Sequence, residues 1–130
     1  MRRLLRRLAP DRGSTTVEMV GYTAVMLAAL LVGVQAAAWG LGELACRYAA
    51  NHALQVTRVE GGTVAAGKAD AATVVGQVGG GMVTEPEVTA TRGAAAASVT
   101  VTGHALQVLP FLKLPVGATV SGPVESLGTP

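Results

Sequence analysis

Met19 to Gly42 is a run of 24 positions without a formal charge, the longest such run in the chain. A helix needs roughly 20 apolar residues to cross a hydrocarbon core. Val25–Val34 is the most apolar part, and the residues from Gln35 onward are smaller and more polar. A helical pattern continues beyond the run. Glu43, Arg47, Asn51, Gln55 and Arg58 form a polar stripe at mostly i+4 spacing, while Leu41, Ala45, Ala49, Ala53 and Val56 occupy other faces. Glu43 and Arg47 are also a favourably ordered i,i+4 pair. Gly61-Gly62 stops the pattern. A single helix from Thr16 to about Arg58 is expected, roughly 65 Å long at about 1.5 Å per residue. That is about twice the hydrocarbon thickness, so residues 43–60 read as a helical stalk beyond a membrane helix at 14–42.

Residues Thr63–Val78 read as a second, short helix with Val64, Ala71, Val74, Val75 and Val78 on its apolar face, weakened by Gly67 and Gly76. Residues 61–81 thus combine a short helix with the linker Gly79-Gly80-Gly81. From Met82 the period changes to two. Val88–Thr91 and Ser98–Thr102 alternate apolar and hydroxyl residues as half-buried strands do, and Arg92-Gly93 suggests a hairpin between them. Pro86 pushes the start of the first strand to an edge or out of the sheet. Val116–Val120 is a third candidate strand. Residues 82–130 are therefore expected to hold a small antiparallel sheet with one face on the helices. The fold class is α+β and membrane-anchored: a long N-terminal transmembrane helix extending into a stalk, a short helix, and that sheet. Val108–Pro115 is a dense apolar patch that reads either as core or as an exposed contact for a membrane surface or partner subunit.

Composition narrows the function. Half the residues are hydrophobic but only 3% are aromatic, and Ala and Gly together fill 40 of the 130 positions. Such side chains bury little area each, which argues against a large enzyme-like core with a deep pocket. The formal charge of +2 is unevenly distributed. Residues 1–12 carry five Arg and Asp11, while the rest of the chain has two more acids than bases. Basic residues gathered before an apolar run fit the positive-inside rule, with the N-terminus cytoplasmic and the C-terminus extracytoplasmic. Nucleic-acid binders instead spread them over a folded face.

The single Cys46 excludes an intramolecular disulfide, and with His52 and His104 it leaves no structural zinc pattern. Cys46 reads as a small packed residue or as a link between stalk helices. The two histidines, 52 positions apart in sequence, read as surface or interface residues. Glu85 and Glu87 flank Pro86 and read as solvated on one side of a strand. The triple glycine lacks the Lys-Ser/Thr that a phosphate-binding loop requires. No catalytic residue, cofactor or metal, and no small-molecule substrate or nucleic acid, is expected.

The most informative constellation is Arg12-Gly13-Ser14-Thr15-Thr16-Val17-Glu18-Met19. A basic leader ends in Gly13, and five residues later one carboxylate opens the apolar helix. By itself Glu18 reads as an interfacial anion near a helix N-terminus, with Ser14, Thr15 or Thr16 as N-cap. The whole set, from the Arg-rich leader through the Val/Thr-rich tail, resembles the TadE-like family, the minor pilin-like proteins (pseudopilins) of tight-adherence, Flp-type pilus systems. Met19 stands where related sequences commonly carry an aromatic. The resemblance implies a leader at 1–13 and cleavage by a prepilin peptidase between Gly13 and Ser14. It implies a role for Glu18 in assembly, with other pilin-like subunits and the pilus assembly platform as partners in the membrane or in surface pili. Two alternatives remain. One is a single-pass membrane protein with an outer partner-binding domain and a retained leader. The other is a secreted protein cut by signal peptidase near Ala36 or Ala38.

Overall fold

Helix α1 runs unbroken from Arg12 to Arg58, the longest element in the computed structural model, which describes residues 12–126. The expected leader therefore lies mostly outside the described residues. The helix already includes Arg12–Thr15, ahead of the expected Thr16, because nothing in that stretch breaks it. Gly13 costs about 1 kcal/mol relative to Ala, and Ser and Thr less. Ser14, Thr15 and Thr16 consequently lie inside the helix, and none of them is its N-cap. By internal contacts the chain divides into two units, Met1–Gly33 and Val34–Pro130.

In the first unit the described residues are helical, and every side chain from Gly13 onward is exposed. In the second, the remainder of α1 joins a second helix and a sheet. Helix α2 spans Val64–Val78. Its N-cap is Thr63, whose hydroxyl accepts a bond from the Ala66 amide at 3.1 Å. At its far end the Gly79 amide donates to the Val75 carbonyl. Gly61 turns the chain between the helices with φ +75°, a conformation that costs glycine little. The guanidinium of Arg92 donates to the carbonyls of Thr57 and Val59, supplying a cation to the C-terminal end of α1.

Strands β1 (Val83–Arg92), β2 (Ala96–Ala105) and β3 (Pro115–Pro123) form an antiparallel sheet in the order β1-β2-β3. Ala90 pairs with Val99, and Val99 with Val120. The hairpin turns at Gly93, as its position after Arg92 suggested, with the Gly93 amide donating to the Ala96 carbonyl at 2.8 Å. Pro86 lies on an edge strand at a register shift between Thr84 and Glu87, where a missing N–H is tolerated. Glu85, in the same bulge, has φ +51°. That bulge interrupts the strand alternation from which Glu85 and Glu87 were expected to share a side.

One face of the sheet closes on the helices. Val99 and Val101 of β2 are fully buried, together with Ala49, Ala50, Ala53 and Cys46 of α1 and Ala71 of α2. Of the segment expected as a stalk, residues 43–60, the helical part through Arg58 thus packs in this core. Its small residues face inward, while Leu41, Leu44 and Tyr48 stay exposed.

Candidate functional site

At the start of α1, Gly13 and Ser14 are exposed, and open space surrounds the position of a Cβ at Gly13. Glu18 follows Ser14 by one helical turn, and Tyr22 follows Glu18 by another. The Tyr22 hydroxyl donates to Glu18 Oε1 at 2.9 Å. Sequence reasoning missed Tyr22, although its i+4 spacing from Glu18 was the available signal. One bond from a phenol replaces part of a carboxylate's hydration and leaves acceptor sites for another donor. Thr23 returns its hydroxyl to the Met19 carbonyl at 2.9 Å, so this polar group is also satisfied within the helix.

From Ala24 to Val34 the helix is apolar all round. Val25, Met26, Leu30 and Val32 are each more than half exposed, and the most apolar 18-residue window, with mean hydropathy 2.0, has none of its length buried. It is the one helix among the described residues long and apolar enough to cross a membrane. A helix of this kind needs an apolar environment from outside the chain. No part of the described chain covers it.

In the second unit the first buried side chain of α1 is Gln35, at 2% exposure. Its Nε2 donates to the Leu106 carbonyl at 3.1 Å, and its Oε1 accepts from the amides of Val108 and Leu109 at 2.8 and 3.0 Å. Three bonds from one carboxamide thus hold the loop that links β2 to β3. One turn later the Trp39 indole donates to the Pro115 carbonyl at 3.1 Å. One further turn on, Glu43 accepts from the Gly117 amide at 3.2 Å. From the other side, Lys113 Nζ meets Glu85 Oε2 at 2.8 Å, and His104 Nδ1 lies 3.3 Å from the same oxygen. The hydrogen bond and charge of Lys113, with His104 adding to them, hold the Glu85 carboxyl below its ordinary pKa. Glu85 is exposed as expected, but it is paired.

His52 Nδ1 lies 2.6 Å from Asp70 Oδ2 and joins α1 to α2. The two histidines do not approach a common site; each has its own acidic neighbour. Cys46 is a free, fully buried thiol whose pKa is raised by burial and, secondarily, by Glu43. Packing, the first of its two expected roles, is the one it fills. A groove of about 220 Å³ is lined by apolar residues including Leu41, Leu44, Tyr48 and Val78, with no titratable acid or base apart from the phenol. Among the described residues no three His, Cys, Asp or Glu side chains gather as a metal site would require. Comparisons of the chain with protein-family models, curated proteins and solved structures give no match.

Proposed function

We propose that this chain is a non-enzymatic, single-pass TadE-like pseudopilin that takes part in assembling a tight-adherence pilus and is processed after Gly13. The observation that carries the reading is the exposed apolar helix bearing Gly13-Ser14 and one carboxylate, Glu18, at its start. Cleavage after Gly13 frees an α-amino group at Ser14, one turn from Glu18. In an assembly, the amine of one subunit meets the carboxylate of its neighbour, offsets part of the cost of burying either charge and sets the axial stagger. The Tyr22 hydroxyl holds Glu18 in place while leaving it acceptor sites for that amine.

The signal-peptidase alternative is weakened by the packing of Gln35 and Ala38, which are 2% and 4% exposed. A cut after Ala36 or Ala38 removes Gln35 and all three of its bonds to the β2–β3 loop. Retention of the leader is the second reading, since Gly13 and Ser14 are helical and a peptidase must unwind them.

Mass spectrometry of the native protein's N-terminus tests all three. Ser14 as first residue supports the proposal, together with co-purification of pilus ATPase and platform components. An intact leader favours the partner-binding membrane protein, and a start near Ala37 or Trp39 favours secretion.

A further inference from the structure

The loop between β2 and β3 carries an exposed apolar tip. The Leu112 amide donates to the Leu109 carbonyl at 3.0 Å, closing a turn with Pro110 and Phe111 at its centre. Phe111, the chain's single phenylalanine, is 82% exposed, more than any other large apolar side chain described. Pro110 has no N–H, and its carbonyl accepts from Gln107 Nε2 at 2.6 Å. The tip therefore carries little unpaired backbone polarity at Pro110 that a move out of water would penalise. Lys113 is the only formally charged residue from Leu106 to Leu114, and its ammonium is paired with Glu85.

The loop's place in its unit is set by its bonds to α1. Strand β3 runs alongside α1 in the same sense, with Gly117 bonded to Glu43 and, past the strand, Glu125 bonded to the carbonyl of Arg58. Its preceding loop consequently lies at the end of the unit where α1 enters, and it is fastened there to Gln35. Gln35 is the next residue after the apolar stretch Val25–Val34. Trp39, half exposed and bonded to Pro115, adds an amphipathic ring at the same end.

We propose that the Pro110-Phe111 turn docks on the outer lipid surface of the membrane that holds α1, with the Phe111 ring seated among headgroups and upper acyl chains. This rests on the reading of α1 as a membrane span. Docking makes a second contact with the bilayer, and it fixes which side of the outer unit faces lipid and which faces other subunits.

The test uses the full chain in phosphatidylcholine–phosphatidylglycerol vesicles. Phe111→Trp in a Trp39→Phe background makes position 111 the only indole. The expected result is a blue-shifted emission, quenched by lipid brominated near the headgroup and shielded from acrylamide on either side of the bilayer. Quenching by acrylamide with no response to brominated lipid overturns the proposal. Shielding from both quenchers overturns it too, and indicates a protein contact. Leu30→Trp in the same background separates the two levels of argument. If position 30 responds to deeply brominated lipid and position 111 does not, only the docking fails; if neither responds, the membrane span fails. Should Trp39→Phe not fold, Phe111→Cys with an environment-sensitive fluorophore, in a Cys46→Ala chain, reads the same outcomes.

Discussion

Gly67 of α2 lies so close to Thr57 of α1 that a Cβ at Gly67 would overlap the threonine hydroxyl. Thr57 cannot easily move away, because it is fully buried and its hydroxyl donates to the Ala53 carbonyl at 2.8 Å. Gly67→Ala is therefore expected to destabilise the second unit by about 1–3 kcal/mol through overpacking, despite the helix propensity that Ala adds. Gly76 on the same helix is exposed with open space around it, and Gly76→Ala is expected to stabilise by about 0.5–1 kcal/mol. Chemical denaturation of the two variants checks the contrast; a stabilised Gly67→Ala would contradict the close crossing.

Gln35→Leu keeps the helix and the side-chain volume but removes three hydrogen bonds. With the Leu106 carbonyl and the amides of Val108 and Leu109 left without those partners, the cost is expected at about 2–4 kcal/mol. Hydrogen exchange of the Val108 and Leu109 amides should accelerate more than that of the sheet amides. Equal acceleration throughout would mean that Gln35 supports the whole unit rather than this loop.

Cys46 predicts a pH dependence on the alkaline side. Burial raises its pKa from the ordinary 9.0, so the folded chain keeps a proton that the unfolded chain releases. Its contribution is complete below the unfolded value and declines as pH rises past about 9 toward the higher folded value, with a slope of up to about 1.4 kcal/mol per pH unit. Denaturation between pH 8 and 10 should show this decline in the parent chain and a flatter profile in Cys46→Ala. Thiol alkylation of the folded protein should be slow and become fast in denaturant.

Gly13→Val is expected to leave the chain uncut yet still inserted, as read by its mass and by membrane fractionation. Glu18→Ala should be cleaved normally but reduce surface fibres. Undiminished fibres would remove the carboxylate from the assembly. Tyr22→Phe deletes only the hydroxyl that donates to Glu18 and should give a smaller loss in the same assay.

The order of elements was legible because each change of period leaves a mark in the chain. The polar stripe of α1, the double glycine at its end, and the hydroxyl alternation of β1 and β2 all carried local signals. The role of residues 43–58 was not legible. Ala45, Ala49 and Ala53 are too small to mark a buried face by hydrophobicity, while the larger Leu41, Leu44 and Tyr48 turn outward. Gln35 looked like a weak end to an apolar run, because its three partners lie more than 70 positions away. The bulge at Glu85 and Pro86 was half legible: proline marked the irregularity, but only the fold brought Lys113 and His104 to the carboxylate. At Gly13, Ser14 and Glu18 the spacing was plain in sequence, and Tyr22 was visible there once Glu18 was taken to need a donor.

A centre made of alanine, valine and one thiol has a thermal consequence. Each of these side chains uncovers little hydrocarbon on unfolding, and exposed hydrocarbon is the main source of a positive heat-capacity change. The second unit should accordingly melt with a smaller heat-capacity step than the average of about 12–15 cal/mol/K per residue. Its stability curve is then broad and low, holding nearly level between cold and warm surroundings.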